Sequence, residues 1–319
     1  MLAGYSEGED KAKGGAMQLF QNLRIGPAGW RRQHWDGLVY PLRRERGFHP
    51  LRYLARYVDL VELDGDEPQT FRAELVRVWE KALEGYENFR FTVKLPRRFT
   101  HERCLDTAAV KAARQSLGAL RRAGRLGCVL MQFPWAFRFN AETRSFFIEL
   151  RRAFHDFPLS AELRHSSWTL DEAVGTLIDY KVGCVNLDQP AHVRATPPTA
   201  LLTTGVGYFR LHGRSRPNWF EDFHPQAPQL EADYLYTRAE LEEWVPRIRR
   251  VAGLAEETYV VFTCDAAAKA MVNALQMQDL LGCGGKLAPP DLMARYHEEL
   301  PGFGSAAPFQ PVLFGHRAA

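Results

Sequence analysis

Cysteine is scarce in this 319-residue chain, and its pattern is uninformative of any scaffold. The five residues (Cys104, Cys128, Cys184, Cys264 and Cys283) are odd in number, widely spaced and contain no Cys-x-x-Cys pair. That argues against a disulfide framework and a zinc ribbon, and a reduced, cytoplasmic protein is expected. Cys128, Cys184 and Cys264 fall inside apolar runs, where a free thiol behaves as a small hydrophobe. No apolar run approaches the roughly 20 residues of a membrane span. The first residues lack a basic stretch followed by a hydrophobic core, so no secretory signal is expected. Neither sign of charge is in excess. The 41 Lys and Arg against 38 Asp and Glu leave +3, a weak footprint for a nucleic-acid-binding protein. Also missing are a Gly-x-Ser-x-Gly elbow, a P-loop lysine motif, a dinucleotide fingerprint and a His-Glu-x-x-His helix.

What is present is an ordinary globular balance, 46% hydrophobic and 25% charged, long enough for one large α/β domain or two smaller ones. Residues 1–20 read as a flexible leader and residues 284–319, rich in Gly and Pro, as an irregular tail. Between them, residues 21–283 alternate as one domain. β-favouring runs begin near Leu23, Val58, Phe89, Gly127, Leu159, Gly183, Gly207 and Thr258. Helical patterns separate most of them. The 71–83 run puts Phe71, Leu75, Val78, Trp79 and Ala82 on one stripe, and 108–120 repeats the rhythm. Asn140 is a good cap before an apolar stripe, and Thr169 and Glu172 stand in capping-box positions. The runs 237–251 and 266–281 complete the set. Pro190, Pro197 and Pro198 forbid a long helix in 189–206, so a loop replaces helix six. Eight strands alternating with helices predict a TIM-type (β/α)8 barrel. The competing open doubly wound sheet needs a better phosphate turn than Gly26-Pro-Ala-Gly-Trp.

In a barrel, polar residues at the C-terminal strand ends mark the functional rim. Nearly every strand here ends that way: Glu62 and Asp64, Lys94, Gln132, Glu162 and Arg164, Asn186 and Asp188, Arg210 and His212, Thr263 and Asp265. Each pair is spaced i, i+2, which puts both members on one side of the sheet. Five carboxylates are thus expected to face three permanent cations at one mouth. Buried unpaired charge is costly, so these groups are paired, metal-bound or wet. A self-neutralising network closing the barrel, an acid/base site with carboxylate pKa values pushed apart, and a ligand site without chemistry all stay open.

The basic residues speak to the ligand. Lys94, Arg97, Arg98, His101, Arg164, His165, Arg210, His212 and Arg214 gather at or after strands three, five and seven. Arginine forks match phosphate or carboxylate, implying an anionic ligand; a solvated rim paired with the acids is the alternative. Aromatic residues share these loops: Trp30, Trp35, Tyr40, Trp135, Phe137, Trp168, Trp219 and Tyr236. Some are core plugs, while others, with Trp30 and Trp168 as candidates, suit stacking on a base or sugar ring. Glu62, Glu162, Asp188, His212 and Asp265 are the ligand types of Mg²⁺, Mn²⁺ or Zn²⁺. No obligatory metal is expected, and no nucleotide cofactor is implied. Cys264 is out of phase with Thr263 and Asp265, and is expected to pack behind the strand.

An ordered set of short motifs resembles a known family. It comprises Gly26-x-x-Gly-Trp30, Val61-Glu-Leu, Phe91-x-Val-Lys94-x-Pro-Arg, Thr100-His101, Gln132-Phe-Pro134, Glu162-Leu-Arg-His-Ser-Ser-Trp168, Arg210-Leu-His-Gly-Arg214 and Phe262-x-x-Asp265 with Asn273. The chain, over roughly residues 23–282, resembles the YecE-like family of TIM-barrel proteins, domain of unknown function 72. The resemblance implies a barrel with a polar pocket at its C-terminal end and carries no established activity. Two departures fall in that pocket: Asp64-Gly-Asp-Glu-Pro where the family usually has Asn-Ser-Thr-Phe-Tyr, and Thr263-Cys264 where it usually has a pair of Asn. Glu62, Lys94, His101, Glu162, Arg164, Arg210, His212, Arg214 and Asp265 match.

The reading is an enzyme on a small anionic, phosphorylated or nucleotide-like substrate. Glu62 and Glu162 are acid/base candidates, with Asp265 beside them, His101 or His212 is the proton shuttle, and Lys94, Arg164 and Arg210 are the clamp. Asp64, Gln132, Asp188, Arg214, Trp30 and Trp168 are further binding candidates. Glu162→Gln is expected to abolish turnover and leave folding intact. A nucleic-acid-binding protein and a catalytically degenerate barrel used as a ligand-binding or interaction module are the alternatives.

Overall fold

The computed structural model describes residues 21–66, 73–215, 219–220 and 233–305. Strand interiors in a closed parallel barrel are covered on both faces, so they read as nearly unbroken apolar runs. The expected eight are β1 (Leu23–Pro27), β2 (Leu60–Asp64), β3 (Arg90–Lys94), β4 (Leu126–Gln132), β5 (Leu159–Glu162), β6 (Gly183–Asp188), β7 (Val206–Leu211) and β8 (Glu257–Phe262). They form one parallel sheet in the order β1-β8-β7-β6-β5-β4-β3-β2. The ring closes where Ala28 bridges to Glu62 and the Gly29 N–H donates to the Glu62 carbonyl at 2.8 Å. Gly26 permits that closure, since a Cβ there would stand 1.8 Å from the Leu60 carbonyl oxygen. The architecture is the TIM-type (β/α)8 barrel that the alternation predicts.

Strand parity sorts the core into two layers. Leu60, Cys128, Leu130, Val185, Leu187, Tyr208, Tyr259 and Val261 fill the barrel interior. The opposite faces meet the surrounding helices in a larger cluster that includes Val61, Phe91, Val129, Phe209 and Val260. Helices follow the strands as α1 (Pro50–Leu54), α2 (Ala73–Ala82), α3 (Arg97–Thr100), α4 (Thr107–Arg122), α5 (Ala141–Ala153), α6 (Asp171–Asp179), α7 (Arg238–Glu242), α8 (Val245–Ala252) and α9 (Lys269–Leu281). Asn140 caps α5 in a reciprocal box with Thr143, and Thr237 does the same for α7 with Glu240. No helix lies between β6 and β7, as the prolines require.

Three local expectations differ. Thr169 does not cap α6: it closes the 3-10 turn Ser166–Thr169, and its hydroxyl donates to the Ser166 carbonyl at 2.8 Å. Leu170 is the cap position and offers no side-chain bond. On α2, Val76 is buried while Val78 is exposed; Phe71 lies outside the described residues, as does the leader 1–20. Past residue 284, where an irregular tail is expected, the described part is ordered by apolar spacing. Two-residue strands pair Leu287–Ala288 with Gly304–Ser305 around α10 (Pro290–Arg295), and Leu292, Tyr296 and Leu300 are buried. Among the described residues no helix is long and apolar enough to cross a membrane.

Candidate functional site

Glu162 ends β5 with no exposed surface. A carboxylate stripped of water must be met by donors, and three side chains meet this one. Arg164 Nε donates to Oε1 at 2.8 Å, while Arg210 and His212 from the end of β7 converge on Oε2, His212 through Nε2 at 3.1 Å. Arg210 turns its other terminal nitrogen to Glu62 Oε1 at 2.6 Å, and the Tyr208 hydroxyl donates to Glu62 Oε2 at 2.8 Å. One buried guanidinium therefore links the carboxylates of β2 and β5. On the far edge of His212, Thr263 Oγ1 lies 2.9 Å from Nδ1. Trp219 roofs the cluster, its ring 3.9 Å from the Arg164 guanidinium and 4.7 Å from the imidazole, with its N–H held by Gln189 Oε1 at 3.0 Å.

The electrostatics follow from this packing. Burial alone would raise the Glu162 carboxyl, but Arg210, His212 and Arg164 hold it well below the usual carboxylate range. Burial, reinforced by Arg210 and Arg164, pushes His212 down to about 3 against the pull of Glu162. The centre is thus two carboxylates balanced by two guanidiniums around a neutral imidazole.

A half-exposed side adjoins it. Asp64 and Lys94, cross-strand partners, pair at 2.9 Å; burial would raise the Asp64 carboxyl, but Lys94 keeps it lowered. Gln132 stands beside Glu162 in register, partly buried, with no hydrogen-bond partner for its amide among the described residues. His101, at the end of α3, holds Thr100 Oγ1 at 2.9 Å through Nδ1. Burial, then Arg97, Arg164 and Lys94, push it down to about 3.

Other expected members sit elsewhere. Register places Leu187 beside Arg210 and Asp188 beside Leu211, so β6 turns Asn186 and Asp188 outward. Asp188 accepts from Trp244 Nε1 at 2.7 Å and Arg214 Nε at 3.1 Å. Arg214 is further engaged by Glu243 at 2.7 Å, which removes it from any clamp. Asn186 instead holds the helix-free crossing, donating to Leu201 O at 3.0 Å and accepting from Thr199 at 2.7 Å. Asp265 accepts from Trp35 Nε1 at 2.9 Å and forms an ion pair with Arg32 at 2.8 Å, and so fastens the loop after β1. Trp30 and Trp168 are buried plugs. Trp30 packs on His49 and Trp79, and Trp168 stacks on Phe137 at 5.5 Å while donating to its carbonyl. Cys264 is buried behind β8 as its phase predicts. Among the described residues no group of three or more His, Cys, Asp or Glu could hold a metal.

The family model described as "Protein of unknown function DUF72" matches residues 24–295. This chain belongs to the DUF72 family. A DUF72 protein of Thermotoga maritima is 27% identical, with 82% of this chain and 99% of that one covered at a TM-score of 0.68. One from Enterococcus faecalis is 23% identical, with 82% and 96% covered, also at 0.68. No curated protein matches. Asp64 answers Lys94 on the half-exposed side, and Thr263 answers His212 in the buried cluster. Among the aromatic candidates, Trp219 is the one that covers the site. Its neighbours in sequence gave no periodicity by which to single it out.

Proposed function

We propose that this DUF72 protein is an acid/base enzyme acting on a small substrate that carries an anionic group. The observation that carries the proposal is Glu162, a completely buried carboxylate at a strand's C-terminal end, gripped by Arg164, Arg210 and His212. A barrel folds without such an arrangement, and replacing a buried charge network by apolar residues is often neutral or stabilising. Retaining it makes sense where preorganised charge does chemistry.

The roles follow from the protonation states. Burial, with Arg210 and Arg164, keeps the imidazole of His212 neutral, and the Glu162 carboxylate, which can only accept, faces its Nε2 proton. His101 is also neutral, and its Nε2 edge is available to an oxygen of the substrate, as a neutral imidazole can polarise a carbonyl. Lys94, Arg164 and Gln132 border the same side and would receive the anionic group, Lys94 exchanging Asp64 for it. Arg210 and Arg214 are committed to internal carboxylates and are left out of the clamp.

Thermal unfolding with inorganic phosphate, citrate, glucose 6-phosphate and glucose tests the proposal. The anions should raise Tm more than glucose does, and Lys94→Ala and Gln132→Ala should abolish that rise. Equal stabilisation by glucose, or anion stabilisation that survives in both variants, would overturn it.

A second reading is a ligand-binding barrel without turnover, favoured by the mutual neutralisation of the buried charges. Under it, a stabilising ligand incubated with the wild-type protein is recovered unchanged.

A further inference from the structure

A groove lies on the flank of the barrel, away from the site above. It has a volume of about 1010 Å³ and runs between the outer face of α4 and the end of α5. Its lining carries five cations, Lys111, Arg114, Arg121, Arg122 and Arg152, against one carboxylate, Asp156. Two of the cations are structural. Arg114 pairs with Asp156 and donates to Ala153 O at 2.6 Å, and Arg121 donates to Asp156 O at 2.7 Å, so both cap the end of α5. Lys111, Arg122 and Arg152 are exposed and make no side-chain hydrogen bond or ion pair among the described residues. In a chain whose total excess is +3, that concentration on one face needs a counterpart.

We infer that this groove is a docking surface for an extended acidic segment of another polypeptide. Lys111 and Arg122 are eleven positions apart on one helix, about 17 Å, which an extended strand spans in roughly five residues. Carboxylates on such a segment match the arginine forks. Of the groove's two aromatic rings, Phe157 is buried and the exposed imidazole of His155 is tied by its nitrogens to Arg152 O at 3.0 Å and Asp156 at 2.8 Å, a poor platform for bases, which disfavours single-stranded nucleic acid.

Fluorescence anisotropy of the full chain with a labelled peptide of seven consecutive glutamates tests this inference. A triple Lys111→Glu, Arg122→Glu, Arg152→Glu variant should lose about tenfold or more in affinity, with unchanged Tm. A control triple at exposed cations elsewhere, Arg43→Glu, Arg46→Glu and Arg250→Glu, should retain it. Equal loss in both triples, no loss in the first, or tighter binding of a twelve-nucleotide oligo-dT at the same salt would each overturn the proposal.

Discussion

His212 Nε2 lies 3.1 Å from Glu162 Oε2, across fifty positions of sequence. The contact has no solvent on either side: both residues are buried, and the Trp219 ring lies over the imidazole. It is the point where β5 and β7 become one chemical unit, and most consequences for experiment start from it.

Glu162→Gln removes one member of a charge-balanced set and leaves Arg164 and Arg210 facing a neutral amide. The variant should therefore lose about 3 kcal/mol or more of folding stability, and not remain as stable as the sequence alone led one to expect. Urea unfolding measures it. Adding Arg210→Gln to the same protein should cost less than the sum of the two single changes, and strict additivity would refute the coupling.

Thr263 and Glu162 flank the two nitrogens of His212. With the Thr263 hydroxyl on Nδ1 and a carboxylate on Nε2, the proton belongs on Nε2. Nitrogen-15 NMR of the imidazole should report a single Nε2–H tautomer in the wild type and in Thr263→Ser, and a mixture in Thr263→Val. An unchanged spectrum in the valine variant would remove Thr263 from this role.

His212 also sets a pH dependence with a definite sign. Its folded value of about 3 lies below the ordinary 6.5. Between those values the unfolded chain binds a proton that the folded chain refuses, so stability falls as pH drops from 6.5 toward 3, by about 1.4 kcal/mol per unit. Glu162, held low, acts in the same direction, its contribution vanishing as pH falls through its folded value. Tm measured from about pH 6 to pH 4 should decline less steeply in His212→Asn. Parallel curves for the two proteins would contradict the burial argument.

Trp219→Ala uncovers the cluster. The change removes the stacking on Arg164 and the bond to Gln189, and should cost about 3 kcal/mol. Since burial is the first cause of the depressed His212 value, water admitted over the ring should move that value upward. NMR titration of the imidazole checks it, and an unmoved midpoint would show that the ring is shielded by something else.

How much of this was legible in the chain depends on what kind of information each residue carries. The eight strands and the helix-free crossing follow from apolar runs and prolines, which act locally. The i, i+2 rule correctly joins Glu62 with Asp64 and Arg210 with His212 on one face. It says nothing about which face, because a strand's parity is settled by its neighbours' register. That is why Asn186 and Asp188 read as rim residues and turn out to face outward. Arg214 reads as a binding candidate because its partners Glu240 and Glu243 come twenty-six and twenty-nine positions later, too far along the chain for strand parity to join them. Trp30 and Trp168 are apolar bodies with one polar atom, and sequence cannot tell a stacking platform from a plug.

The missing sixth helix has a cost that polar side chains absorb. The helix-free crossing after β6 is tied down by the Asn186 amide and the Thr203 hydroxyl, which accepts from the Cys184 N–H at 2.8 Å. That crossing is held by a few polar ties where other strand-to-strand connections carry a helix. Deuterium should reach the backbone amides of β6 before those of any other stave, and swelling of the ring under mild denaturant should begin on that flank.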